Sequence, residues 1–341
     1  MQVFHHPDFE QHECVCFFSE KLSGLKAIIA IHSTKLGPAM GGCRMRPYDS
    51  EDDALGDALR LSKGMTYKNA LAGLSCGGGK AVIIGNPEIE KTPDLLRAFG
   101  HCVERLGGLY VTGEDSNIGT SDIAVVSEVT PHVRKLPLDQ TGDPSMFTSW
   151  GLFQSIKTAL VYKYGTDSRR AAVAIEGLGR VGMELCRLLH EDRATLMVSD
   201  TDARKVALAT SRFGANAVPV GILHTSNVDV YAPCAYGGVL NARTIPEIKA
   251  GIIAGAANNQ LATPEDGNRL KTAGILYCPD YLVNAGGVLS TGQQNVPFDC
   301  QAAYDRVVRI TTTLLDVFKL ANNLDIPTSE AADVLARRRF V

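Results

Sequence analysis

The segment 170–182, RAAVAIEGLGRVG, constrains the fold of this chain more than any other. Its apolar run, 171–175, suits a buried strand and ends at Gly177-Leu178-Gly179-Arg180-Val181-Gly182. Val181, Leu185 and Leu188 then recur at helical spacing, and a second apolar strand, 195–198, runs to Asp200. Strand, glycine turn, helix, strand and acid together form the unit that binds a dinucleotide. Gly177 permits the tight turn, Gly179 lets a pyrophosphate approach the backbone, and Gly182 lets the helix close on the strand. Arg180 and Val181 open that helix, whose first N–H groups and positive dipole end favour an anion. A carboxylate at Asp200 bonds ribose hydroxyls and repels a 2′-phosphate, which favours NAD over NADP, although nearby Arg204 works against that preference. A glycine turn without cofactor is the plainer alternative, and the completeness of the unit weighs against it.

A chain of 341 residues exceeds what one core usually serves, so two domains are expected. The first 130 or so residues alternate strand-like and helix-like text. KAIIAIH (26–32) and KAVII (80–84) read as buried strands. Between them a helix starts at Ser50, with Asp53 completing a capping box and Leu55, Ala58, Leu59 and Ser62 on its inner face. KLPLDQTGDPS (135–145) reads as a linker, 148–164 as a helix, and 300–324 as a long amphipathic helix broken by Pro327. The expected fold class is therefore α/β in two domains: residues 1–140, and a Rossmann-type dinucleotide-binding domain over 141–314, with a catalytic cleft between them. Helices from about 315 to 341 are expected to pack back on the first domain.

Composition excludes more than it selects. The net charge is −3, and the only basic cluster, Arg337-Arg338-Arg339, suits the end of a helix, so no nucleic-acid partner is expected. Nine cysteines with no C-x-x-C pair argue against a disulfide framework, and eight histidines show no ligand spacing, so no metal site is expected. The first residues, MQVFHHPDFEQHE, lack the apolar stretch of a secretory signal, and no membrane-spanning run occurs. These features point to a reducing, cytoplasmic compartment.

A second glycine cluster, Gly77-Gly78-Gly79-Lys80, is no phosphate loop, because Leu74 and Ala81 stand where that motif needs glycine and a hydroxyl. Lys80 is placed where a loop enters a buried strand. Desolvation and a neighbouring ammonium both disfavour its charge there, making it a base usable near neutrality.

The segments GPAMGGCRMRPY (37–48), LRLSKGMTYKNALAG (59–73), GGGKAVIIGNP (77–87), TGED (112–115), GLGRVG (177–182), APCAYGGVLN (232–241), AGAANNQL (254–261) and PDYLVNAGGV (279–288) resemble the family of glutamate, leucine, valine and phenylalanine dehydrogenases. They span nearly the whole chain in order, and the likeness is closest to the branched-chain members. That resemblance implies that the first domain binds substrate and mediates oligomerisation, from dimer to octamer. It implies that Lys68 pairs with the substrate carboxylate beside Gly41 and Gly42, that Lys80 activates water, and that Asp115 exchanges a proton with the substrate nitrogen. Met40, Gly113, Val288 and Thr291 would line the side-chain pocket. Thr148, Pro233, Cys234, Ala235, Asn258, Asn259 and Asn284 would contact the cofactor. The implied reaction is reversible NAD-dependent oxidative deamination of an apolar L-amino acid to its 2-oxo acid and ammonium. An uncharged pocket disfavours glutamate. Leucine is expected first, with valine and isoleucine. The stretch after Thr112, GEDSNIGT, resembles the phenylalanine and tryptophan enzymes about as much, so an aromatic substrate stays open. A hydroxy-acid dehydrogenase would leave the glycine–lysine segment without a task. A non-catalytic dinucleotide-binding protein is the rival of another class.

Overall fold

In the computed structural model, which describes residues 2–134, 143–290 and 299–340, the chain divides into two α/β units. One comprises Met1–Leu138 with Ala336–Val341, the other Asp139–Leu335.

The first unit contains β1 (Cys14–Glu20), β2 (Leu25–Ser33), β3 (Ala39–Met40), β4 (Cys43–Arg46), α1 (Glu51–Leu71), β5 (Gly77–Ile84), α2 (Pro93–Glu104), β6 (Tyr110–Val111) and α3 (Thr120–Val126). Its mixed sheet runs β1-β2-β5-β3-β6, with β4 also pairing β5. The apolar run of β2 is buried on both faces. Ile28 and Ala30 join Leu55, Ala58 and Leu59 of α1 in one core. Ile29 and Ile31 join Leu95, Phe99 and Val103 of α2, with Ile123 and Val126 of α3, in the other. Successive residues of a strand face opposite sides, so a continuous apolar run is what a two-sided core requires. Ser50 Oγ accepts from Asp53 N as the helix cap, while the Asp53 carboxylate accepts a hydrogen bond from the Ser50 hydroxyl instead of completing the box on its backbone.

The triple glycine is strand rather than approach loop. β5 begins at Gly77, and Lys80 lies within it opposite Ala30 of β2. A Cβ at Gly77 would collide with Ser33 O, and one at Gly78 with the Thr66 backbone of α1. Glycine is what lets the strand lie this close to its neighbours.

The second unit contains α4 (Pro144–Tyr164), β7 (Ala172–Glu176), α5 (Arg180–Glu191), β8 (Thr195–Ser199), α6 (Ala203–Phe213), β9 (Asn216–Ala217), β10 (Val230–Pro233), β11 (Ile252–Ile253), α7 (Glu265–Thr272), β12 (Leu276–Tyr277), α8 (Asp280–Val283), α9 (Gly286–Ser290), α10 (Cys300–Leu324) and most of α11 (Thr328–Phe340). Its strands are all parallel in the order β12-β11-β10-β7-β8-β9. Numbered within the unit, this is the dinucleotide-binding order, whose reversal between β7 and β10 opens a crevice at the strand ends.

The C-terminal helices differ from the expected return over 315–341. Val307, Ile310, Leu314, Val317 and Phe318 of α10 are buried within the second unit, where Phe318 stacks on Tyr162 of α4 with ring centroids 4.8 Å apart. Only the chain from Ala336 joins the first unit. There Arg339 donates to Ala70 O and Leu71 O at 2.7 and 2.8 Å, tying the end of the chain to the last turn of α1.

Candidate active site

Lys80 projects from β5 with its side chain 7% exposed, and its Nζ meets Asp115 Oδ2 at 2.7 Å. Asp115 follows β6 in a tight turn. Its N–H donates to Ile118 O at 3.1 Å, and Ile118 N–H returns the bond at 2.9 Å. Asn117 takes the left-handed backbone the turn needs, at φ +63°, and its Nδ2 donates to Met45 O at 3.0 Å. The turn is thereby tied to β4. From β4 itself Arg44 sends Nε to the same Asp115 Oδ2 at 2.8 Å. Burial pushes the Asp115 carboxyl up, but the Lys80 and Arg44 charges and hydrogen bonds outweigh it and hold it at about 2. Asp115 is thus a carboxylate throughout the working range.

Lys68, half-buried, lies on α1 one position before Asn69, whose Nδ2 donates to Gly77 O at 2.6 Å and to Met40 O at 3.4 Å. That amide ties the helix turn bearing Lys68 to β5 and β3. Gly41 and Gly42 continue β3 toward the same place: a Cβ at Gly41 would strike Gly79 O, and one at Gly42 would strike Glu114 O and approach Asp115. Met40 pairs with Val111, and Gly113 follows two residues on, backed by Arg134 Cβ. The first unit therefore assembles Lys80 with Asp115, and Gly41 and Gly42 beside them. Val288 lies on α9 of the second unit, and Thr291 falls outside the described residues.

In the second unit Gly177 has φ +96°, and a Cβ there would collide with Ala235. The loop Pro233, Cys234, Ala235 thus runs directly past the glycine turn, with Cys234 N donating to Glu176 O at 2.7 Å. At Gly182 a Cβ would strike Gly177 O, whereas at Gly179 it would meet nothing within 4 Å. Two glycines serve packing and the middle one faces open space. Gly179 caps α5 with no side-chain acceptor, so the N–H groups at Arg180, Val181 and Gly182 are open to a phosphate. Asp200 ends β8 with Oδ2 on Leu178 N at 2.6 Å and Oδ1 on Asp202 N at 2.8 Å, so the acid sits against the glycine turn. Arg204 is turned onto the Asp202 carboxylate at 2.9 Å. Such a turn, helix end and acid fit a nicotinamide dinucleotide.

Asn284 Nδ2 donates to Asn258 Oδ1 at 2.8 Å and to Ala256 O at 3.2 Å. Asn259 does not join them; it is exposed at φ +53°, and its carbonyl accepts from Gly238 N at 2.7 Å. Thr148 Oγ1 of α4 accepts from Gly287 N at 3.1 Å, which sets it beside α9. Sequence reading missed Arg44, Asp57, Tyr48 and Asn69 as site residues. Arg44, Tyr48 and Asn69 lie in the segments quoted above and Asp57 falls between two of them, but nothing in a linear pattern states which carboxylate an arginine will meet. Among the described residues no cluster suited to a metal occurs, and no helix is long and apolar enough to cross a membrane.

A parallel sheet in dinucleotide-binding order and a separate unit carrying a buried lysine–aspartate pair define a two-domain dehydrogenase. Comparison with known proteins agrees. The family model described as Glu/Leu/Phe/Val dehydrogenase, dimerisation domain, matches residues 12–132, and that described as Glutamate/Leucine/Phenylalanine/Valine dehydrogenase matches residues 194–302. The chain is 43% identical over 343 aligned residues to leucine dehydrogenase of Geobacillus stearothermophilus, covering 100% of this chain and 94% of that protein. It is 47% identical over 333 residues to L-tryptophan dehydrogenase of Nostoc punctiforme, covering 96% and 93%. The crystal structure of L-tryptophan dehydrogenase from Nostoc punctiforme superposes with a TM-score of 0.85 at 45% identity, covering 97% of both chains. The protein belongs to the Glu/Leu/Phe/Val dehydrogenase family and is an amino-acid dehydrogenase that works with a nicotinamide cofactor.

Proposed function

We propose that the protein catalyses the reversible NAD-dependent oxidative deamination of a branched-chain L-amino acid, leucine first and then valine and isoleucine, to the 2-oxo acid and ammonium. The observation that carries this reading is the ion pair of buried Lys80 with half-buried Asp115 at 2.7 Å. Deamination needs one group to move a proton at nitrogen and another to move one at water, and the pair supplies both. When bound, the nicotinamide ring provides the hydride acceptor. Lys68 anchors the substrate carboxylate beside Gly41 and Gly42. Asp115 takes a proton from the substrate amine. Lys80 then draws a proton from the water that adds to the imino carbon and later sheds it to solvent. Asp115 returns its proton to the carbinolamine nitrogen, and ammonia departs as the new carbonyl forms, taking up the released hydroxyl proton to become ammonium.

Gly177, Gly179 and Gly182 with the first turn of α5 would hold the pyrophosphate, and Asp200 the adenine-side ribose. Preference for NAD is supported by the Asp200 carboxylate and by the engagement of Arg204 with Asp202 rather than with Asp200. Thr148, Asn258 and Asn284, with the loop 233–235, would border the nicotinamide end. Asn259 is assigned only a backbone part. Nine free thiols support a reducing, cytoplasmic setting. The dimerisation-domain match over 12–132 supports a homo-oligomer.

Met40 and Gly113 of the first unit carry no charge, which supports an apolar substrate side chain over a glutamate γ-carboxylate. A second reading, an aromatic substrate, is favoured by the 47% identity to the Nostoc punctiforme enzyme and by Gly113, which leaves room a side chain would fill. Initial rates with leucine, valine, isoleucine, phenylalanine, tryptophan and glutamate, each with NAD or NADP, decide between them. Leucine with NAD is expected to give the highest kcat/KM, with valine, one methylene shorter, within about 200-fold and isoleucine, its isomer, no further behind. Tryptophan or phenylalanine ahead of all three aliphatics would establish the second reading.

A further inference from the structure

Asp115 offers two oxygens, and the structure uses them unequally. Lys80 Nζ and Arg44 Nε both reach Oδ2, at 2.7 and 2.8 Å, and Oδ1 has no hydrogen-bond partner among the described residues. Arg44 is itself held. Its Nη1 donates to both oxygens of Asp57 on α1, at 3.1 and 3.4 Å, and Tyr48 Oη donates to Asp57 Oδ2 at 2.7 Å. A guanidinium is planar and rigid, so fixing Nη1 on Asp57 fixes the direction of Nε.

We propose that Arg44 is a positioning residue for the deamination: anchored by Asp57 and Tyr48, it pins Asp115 by Oδ2 and leaves Oδ1 as the oxygen that exchanges a proton with the substrate amine. This rests on the roles given above to Lys80 and Asp115. The geometry also assigns Arg44 a charge function. Lys80 gives up and regains a proton in each turnover, so its charge comes and goes beside Asp115. The guanidinium stays charged throughout. Asp115 therefore keeps one constant counterion while the other alternates.

The other titratable groups around Asp115 do not duplicate this. Asp57 on α1, Asp122 on α3 and neighbouring Glu114 are acids. Lys91 is spent on Asp122 at 2.9 Å. Cys43 and Tyr110, from β4 and β6, are pushed up by burial and stay neutral.

The test uses Arg44→Gln, Arg44→Lys, Asp57→Asn and Asp115→Asn in the full chain, with kcat, KM and the pH profile of kcat/KM recorded for each. Arg44→Gln is expected to lower kcat by about 100-fold, within the range of a misplaced acid–base group, and to move the acid limb to higher pH. KM for NAD should not change. Arg44→Lys restores the limb, because it restores the charge, but recovers only part of kcat, because one ammonium cannot span Asp115 and Asp57. Asp57→Asn falls between wild type and Arg44→Gln. Thermal unfolding and NADH binding confirm that each variant is folded. The proposal is overturned if Arg44→Gln keeps kcat within about threefold of wild type. It is equally overturned if Arg44→Gln, Arg44→Lys and Asp57→Asn lose activity alike with the acid limb unmoved, the behaviour of a purely structural residue. Asp115→Asn at the wild-type rate would instead overturn the underlying reading of the pair, whatever the Arg44 variants do.

Discussion

Lys80 stands in the middle of an apolar strand with 7% of its side chain exposed, and Asp115 makes that position tenable. An unpaired ammonium there would be strongly unfavourable, and breaking a buried pair from one side typically destabilises by about 3–5 kcal/mol. The Asp115 carboxyl carries the matching dependence on pH. Its value is held at about 2 in the folded protein against 3.8 for the free side chain. A depressed acid stabilises the fold above its unfolded pKa, and that contribution is lost as pH falls through the folded value. Wild type should therefore exceed Asp115→Asn in Tm by a constant margin above about pH 5, narrowing between about pH 4 and 2. Unfolding scans across that interval check it, and a margin that persists unchanged to pH 2 would contradict the ion pair as its source. Lys80 was legible from sequence as a lysine entering a buried strand. That its immediate neighbour would be Asp115, and that Arg44 would share the same oxygen, depends on a turn and a register that no local pattern encodes.

At the scale of elements, what the text revealed depended on length. The helices α1, α4 and α10 and the strands β2, β7 and β8 carry enough residues for periodicity, caps or glycine turns to mark them. β3 and β6 have two residues each and β4 four, too few to show any period, yet they place Gly41, Arg44 and the turn at Asp115. They exist because β5 offers backbone partners to β3 and β4, and β3 in turn to β6, a tertiary fact. The glycines of β5 are the converse case, plain in sequence but misplaced as loop. Their absence of side chains is read as a turn signal locally, and it serves close packing here. Gly78→Ala puts a methyl against the Thr66 backbone of α1, and neither strand nor helix can yield cheaply. A loss of about 1–3 kcal/mol is expected, with a raised KM for the amino acid because Lys68 lies on the displaced helix turn. Urea unfolding and steady-state kinetics check both parts. Gly64→Ala on the same helix, where a Cβ meets nothing within 4 Å, serves as the control.

For the molecule as a whole, the two units divide the labour. The second carries a parallel sheet in dinucleotide-binding order, and the first brings Lys80 of β5 onto Asp115 in the turn after β6, with Lys68 on α1. The apolar face of α10 does not name its partner, so sequence alone does not set where along the C-terminal helices the chain rejoins the first unit, which in the structure is at Ala336. The central claim is that buried Lys80 and its partner Asp115 perform the proton transfers of an amino-acid dehydrogenase. Ammonium-dependent oxidation of NADH with the 2-oxo acid of leucine, compared between wild type and Lys80→Ala at matched NADH affinity, tests it most directly. The account predicts that wild type turns over only when ammonium is present. Lys80→Ala should bind NADH as tightly yet lose about 100- to 10,000-fold in kcat, the range of a general base. Turnover by Lys80→Ala at the wild-type rate, or oxidation by wild type without ammonium, would contradict it.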